Sequence, residues 1–153
     1  MTKLIIFGKK FIMLKKETIY AIRSLVYICL QNYKNNQPGI SEIANEISAP
    51  YYFVGKILQR LVRLGFLKSK KGKNGGFYCE NNKPVTLDEL IRAIEGNVLY
   101  NKCFFGIKEC DAKNPCPLHE KYVLIAKEIE KFSKEQTIQA IARKFYENSN
   151  YSF

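Results

Sequence analysis

A chain of 153 residues with 46% hydrophobic and 13% aromatic side chains can build a core, which excludes disorder and leaves one domain, or one small domain with a partner-binding extension. Its formal charge of +11 is one-sided: residues 1–85 carry 15 Lys and Arg against 4 acids, and residues 86–153 carry 10 of each. The first half is therefore where a polyanion would dock, as a solvated basic surface is the only other use for such an excess. The opening MTKLIIFGKKFIML has apolar runs broken by Gly8-Lys9-Lys10, too short for a membrane span and without a cleavage site. A cytoplasmic protein with no membrane partner is expected.

Ile19, Ile22, Val26 and Cys29, widened by Leu25 and Leu30, predict a first helix over 16–33. Asn35, Asn36, Pro38 and Gly39 break it. Ser41 reads as the cap of a short helix over 42–47, with Ile43 and Ile47 facing inward. Ser48-Ala49-Pro50 makes a tight turn, and Pro50 suits the first position of a third helix that runs to about Leu64 and stops at Gly65. That helix has an apolar stripe of Val54, Ile57, Leu58, Leu61 and Leu64, and its other face carries Tyr51, Tyr52, Lys56, Gln59, Arg60 and Arg63. Strands over 66–69 and 76–80 follow, joined by Lys70-Lys71-Gly72-Lys73-Asn74-Gly75, a hairpin with Asn-Gly turn chemistry and a cationic tip. Thr86 opens a fourth helix over 87–95 in a Thr-x-x-Glu capping box. Last comes one long helix from about Leu118 to Phe145, where Leu118, Tyr122, Ile125, Ile129 and Phe132 repeat at steps of four and three.

Helix, short helix, turn, helix and hairpin is the order of a winged helix-turn-helix, so the expected fold is mainly α with a small β-hairpin wing and a long C-terminal dimerisation helix. Such a module lays its second helix in the major groove. Ser48, Tyr51, Tyr52, Lys56 and Gln59 are the expected base readers, with Ser41 and Arg60 beside them. Lys68, Lys70, Lys71, Lys73 and Asn74 on the wing would meet phosphate or the minor groove. Tyr51 and Tyr52 could instead pack on the first helix, and the lysines could be a plain solvated turn. The half-buried stripe on the last helix needs a cover, and a second copy of the chain would supply it while reading a second half-site.

Between the fourth helix and the last lie Cys103, Cys110, Cys116 and the chain's one histidine, His119, in the order C-x6-C-x5-C-x2-H. Thiolates plus one imidazole suit an iron–sulfur cluster or zinc. In a reducing compartment such a group is a metal site more often than a disulfide framework. Cys29 and Cys79, within an apolar helix and a strand, read as ordinary small hydrophobic side chains. A thiol redox enzyme does not fit, since Cys110 and Cys116 lack C-x-x-C spacing; no catalytic residue is assigned, and the chain is not expected to be an enzyme.

Several segments together resemble the iron–sulfur-cluster regulator family of bacterial winged-helix transcription factors, with its IscR, NsrR and CymR types. They are Tyr20-Ala21-Ile22-Arg23, Ile40-Ser41-Glu42-Ile43-Ala44, Pro50-Tyr51-Tyr52-Phe53-Val54-Gly55-Lys56-Ile57-Leu58, Gly72-Lys73-Asn74-Gly75-Gly76-Phe77, Val85-Thr86-Leu87 and the cysteine triplet. The likeness covers about residues 12–147. It implies a homodimer that binds double-stranded promoter DNA, as a repressor or activator, with affinity or operator choice set by a cluster. It also implies cluster donor proteins as partners. In the IscR type three cysteines and a histidine two residues past the last hold a 2Fe–2S cluster. Cys103, Cys110, Cys116 and His119 fit that set, although the first gap is six residues where five is usual. A 2Fe–2S centre is thus favoured over 4Fe–4S. The NsrR type, which senses nitric oxide, takes an acid from the partner's first helix; the matching position here is Ile19, and Glu17 lies half a turn away. The CymR type lacks the cluster, and the three cysteines present here argue against that type. The resulting division is an N-terminal extension over 1–11 (or a true start at Met13), a DNA-binding domain over 12–98, a cluster loop over 99–117, and a dimerisation helix and tail over 118–153.

Overall fold

The computed structural model describes residues 14–80, 83–97, 103–104, 111–148, 150–151 and 153. Its centre is α1 (Lys16–Tyr33). The expected apolar stripe is there, but Ser24 through Leu30 are buried all the way round while Ile19 and Ile22 are only half-buried. A one-sided helix becomes an enclosed one because α2 (Ile40–Glu46), α3 (Tyr51–Arg63), α4 (Leu87–Glu95) and the last helix all pack on it. Asn35 ends α1 in the left-handed conformation (φ 57°), and the N–H groups of Asn35 and Asn36 return to the carbonyls of Asn32 and Gln31.

Gly39, not Ser41, caps α2, so Ser41 falls inside the first turn with its side chain exposed. Pro50 likewise stands just before α3 as its cap. Val54, Ile57, Leu58 and Leu61 of α3 are buried, while Leu64 turns outward beyond the last helical turn. Gly65 (φ 79°) closes that turn with its N–H on the Val62 carbonyl and the Phe66 N–H on Leu61, a paired C-terminal cap.

The wing is a two-stranded antiparallel hairpin of β1 (Lys68–Lys70) and β2 (Gly76–Tyr78), with Lys68 opposite Tyr78 and Lys70 opposite Gly76. Its turn departs from the Asn-Gly expectation: five residues connect the strands, the left-handed position is Gly72 (φ 107°), and Asn74 keeps a negative φ. Two anchors fix the wing to the domain. The Phe77 N–H donates to the Pro38 carbonyl at 3.0 Å, and the Cys79 N–H donates to Asn32 Oδ1 at 2.8 Å. Cys79 and Cys29, expected as separate apolar side chains, are joined by a disulfide between residues 50 apart in sequence, with Cα atoms 5.7 Å apart. The register that buries Cys79 over α1 brings the two together, a tertiary fact that neither local sequence carries.

Thr86 accepts from the Glu89 N–H at 3.1 Å while Glu89 accepts from the Thr86 N–H at 2.8 Å, so both halves of the expected capping box form. Replacing Thr86 by Ala should lower stability by about 1 kcal/mol, the usual worth of such a cap, read as a drop in the midpoint of thermal unfolding.

The single long helix of 118–145 is in fact two. α5 (His119–Glu135) stops at Gln136, and Thr137 starts α6 (Ile138–Glu147) by accepting from the Ala140 N–H. The break is tertiary in origin. The extended Gln136-Thr137 pair lies against the entry to α4, where Leu87 N–H donates to the Gln136 carbonyl and Ile138 N–H to the Val85 carbonyl. α6 then turns back onto α1, burying Ile138 and Ala142 and setting the Tyr146 ring at a tilt against Tyr33. No helix of the described residues is long and apolar enough to cross a membrane.

Candidate nucleic-acid interface and metal-binding loop

The residues expected to read bases occupy exposed positions on α2, on α3 and at the corner between them. Ser48 (φ 52°) forms the left-handed corner between α2 and α3, and Ser41, Ser48, Tyr51, Tyr52, Lys56 and Gln59 are all exposed. Tyr51 and Tyr52 meet edge-to-face at 5.4 Å near the N-terminus of α3, and Tyr52 is 83% exposed. It is Phe53, not either tyrosine, that packs on α1, against Tyr20 at 5.8 Å. Two exposed phenols at the start of α3 can donate to, or stack on, a ligand outside the chain.

Lys70, Lys71, Lys73 and Asn74 stand exposed on the wing. Lys68 pairs weakly with Glu80 at 3.7 Å, but among the described residues no carboxylate comes within ion-pair distance of Lys70, Lys71 or Lys73. A cleft of about 520 Å³ separates α3 from the wing, lined in part by Gln59, Arg63, Lys70 and Lys71. Arg63 was not among the expected DNA contacts. It lies one helical turn beyond Gln59, on the face already assigned to reading, and that i, i+4 spacing was the available signal.

Arg60 points elsewhere. Its Nη1 donates to Glu17 Oε1 at 2.6 Å and its Nη2 to the carbonyls of Ile94 and Ala93 at 3.2 and 3.4 Å. The guanidinium thus faces α1 and the end of α4 rather than the open side of α3.

Of the four expected metal ligands, Cys110 lies outside the described residues. Cys103 is buried, Cys116 is half-buried, and their sulfurs are 3.9 Å apart. Local structure explains the approach. Phe104, next to Cys103, packs on Tyr122 of α5 at 5.7 Å. Asp111 organises the turn before Cys116 by accepting from the Lys113 N–H at 2.9 Å and from Asn114. The His119 N–H donates to the Cys116 carbonyl at 2.9 Å, so Cys116-Pro117-Leu118-His119 winds directly into α5 and sets the imidazole at its first residue.

The sulfur spacing fits a metal. Two thiolates bound to one tetrahedral ion through bonds of about 2.3 Å sit about 3.8 Å apart. Among the described residues no group of three or more His, Cys, Asp or Glu gathers into a metal site, so the structure brings Cys103 and Cys116 together but does not add His119 to them. Glu17, the acid nearest the position used by the alternative ligand arrangement, is held by Arg60.

On the far side of α5, Leu124, Ile125 and Phe132 are 65%, 56% and 57% exposed and, with Ile129, line an open apolar groove. The acid and base of the neighbouring face are used internally, as Glu130 accepts from Arg92 of α4 at 2.7 Å and from Lys134 at 2.8 Å.

A family model described as an iron-dependent transcriptional regulator, Rrf2, matches residues 14–144. The chain is 28% identical over 106 residues to the HTH-type transcriptional repressor NsrR of Streptomyces coelicolor, covering 69% of this chain and 67% of that protein. Its fold is similar to that of CymR, the global cysteine regulator of B. subtilis, with a TM-score of 0.70 at 16% identity over 86% of this chain and 96% of that one. It is also similar to T. potens IscR, with a TM-score of 0.66 at 17% identity over 92% of each chain. The relatives named by function are transcription regulators rather than enzymes, a putative HTH-type regulator of Aquifex aeolicus among them. With its helix-turn-helix, its hairpin wing and a family match across nearly the whole described chain, this protein belongs to the Rrf2 family of winged-helix transcriptional regulators.

Proposed function

We propose that the chain is a homodimeric regulator whose affinity for promoter DNA, or choice of operator, is set by an iron–sulfur cluster held by Cys103, Cys110, Cys116 and His119. The carrying observation is the 3.9 Å approach of Cys103 and Cys116 at the root of α5, in a chain whose wing exposes Lys70, Lys71 and Lys73. Two sulfurs this close would suit a pair of ligands on one iron, which favours a 2Fe–2S over a 4Fe–4S centre, and Cys110 and His119 would complete the set. When bound, the cluster supplies reversible redox and ligand-exchange chemistry. The protein's own part is mechanical. The two thiolates and the histidine tie the segment after α4 to the first turn of α5, and α5 carries the contact to the second copy.

Ser41, Ser48, Tyr51, Tyr52, Lys56 and Gln59 would face base edges and flanking phosphates. Lys70, Lys71, Lys73, Asn74 and Arg63 would hold the backbone across the α3–wing cleft. The seam between copies would run along Leu124, Ile125, Ile129 and Phe132, since three large apolar side chains this exposed on one helix imply a partner. Placing a charge there is the direct check. Ile125→Glu should convert the dimer to monomer in sedimentation at micromolar concentration and weaken binding to a two-half-site duplex at least tenfold by removing the second, tethered contact.

The reading is tested by anaerobic reconstitution with iron and sulfide. Visible absorption, about two irons and two labile sulfides per chain, and an operator affinity that differs between loaded and metal-free protein would support it. A colourless chain carrying one zinc would instead favour a structural metal, which the same sulfur spacing also fits, and would overturn the sensor.

A further inference from the structure

Arg60 occupies a position that neither DNA reading nor metal binding explains. It belongs to the reading helix, yet its Nη2 is shared between the carbonyls of Ala93 and Ile94, two of the last four in α4 and so left without partners by the helix itself. A cation there also complements the helix's negative end. The same turn of α4 is gripped from two further sides. Arg92 donates to Asn97 at 2.6 Å and to Glu130 of α5 at 2.7 Å, and Glu95 accepts from the Thr18 hydroxyl and the Lys15 N–H at the start of α1. The chain leaving this turn is the one that runs to Cys103. Glu17, the second partner of Arg60 at 2.6 Å, fixes the guanidinium's plane from α1.

We propose that Arg60 is the positioning residue through which the state of the cysteine loop sets the presentation of α3 to DNA. This rests on the sensor reading above and deepens it. Ligation at Cys103 fixes the exit of α4, while loss of ligation lets that last turn shift. Hydrogen bonds to carbonyls are directional, so a small rotation of the α4 end must be followed by Arg60 or break its bonds, and Arg60 is part of α3. Among the described residues the polar bonds between α3 and α4 are those of Arg60 alone, whereas the buried side chains of α3 are the apolar Val54, Ile57, Leu58 and Leu61, which carry no directional bond.

The experiment uses the full chain and a fluorescent duplex selected from random sequence with the wild-type protein. Binding is measured across a salt series for cluster-loaded and metal-free forms of wild type, Arg60→Gln and Arg60→Lys. The wild-type forms should differ about 5–150-fold, the range of ordinary allosteric coupling. In Arg60→Gln the two affinities should converge to within about twofold, with cluster absorption and salt slope unchanged. Arg60→Lys keeps the charge and one donor, so it should give an intermediate ratio and guards against failure of the Gln variant to fold. A wild-type ratio retained in either variant overturns the proposal. Equal weakening of both forms, with the salt slope lowered by about one, also overturns it and makes Arg60 a phosphate contact. A wild-type ratio of one overturns the sensor reading itself, and this coupling with it.

Discussion

Converting Lys70, Lys71 and Lys73 together to Gln should weaken operator binding roughly 100-fold at 0.15 M salt. Each phosphate neutralised by a side chain releases about 0.9 counterion, which at that salt is worth about 0.7 logarithmic units of affinity. Three such contacts give about two logarithmic units. The slope of log affinity against log salt should fall by nearly three at the same time. That second number separates lost phosphate contacts from general damage. Damage itself is expected to be slight, because the three side chains are exposed and have no carboxylate partner among the described residues. Anisotropy titrations at several salt concentrations would decide it. A loss below threefold with an unchanged slope would take the wing off the DNA.

Cys116→Ser should abolish the metal centre and, with it, the difference between loaded and metal-free binding. Serine is nearly isosteric, but its hydroxyl is a hard donor that stays protonated where a thiol gives up its proton to a soft or borderline metal. The half-buried position of Cys116 makes the fold indifferent to the change. The expected record is therefore a near-normal unfolding midpoint, iron and labile sulfide close to zero after reconstitution, and one operator affinity where the wild type has two. A variant that still takes up a full complement of iron would remove Cys116 from the ligand set. One whose affinity still responds to iron would place the sensor elsewhere.

Features written into a few neighbouring residues were legible without the structure. The Thr86–Glu89 box and the stop at Gly65 are set by residues within one turn of each other, and both form as expected. The order of helices and hairpin followed from periodicity, which reports a burial pattern that the whole chain shares. What escaped depends on partners far away in sequence. Gln136-Thr137 looks helical in isolation, and only the backbone bonds to Val85 and Leu87 make it extended. The outward face of α3 was clear, but Arg60 at its margin could turn either way until Glu17 and the α4 carbonyls were in place. The Asn-Gly pair promised the wing's turn, yet a five-residue connection put the left-handed residue at Gly72. Cys29 and Cys79 were each read correctly as buried; their pairing needed the packing of β2 on α1.

The return of α6 onto α1 makes the reading head discontinuous along the chain, because Ile138 and Ala142 cover a flank of α1 that residues 14–97 leave bare. During synthesis the head cannot close until the C-terminal helix has been made, well after the thiols of the loop have emerged. A message cut short after the cysteines would yield a sticky, protease-prone fragment. Such a fragment would leave a flank of α1 uncovered, so the folding of the helix-turn-helix is tied to the completion of the last helix.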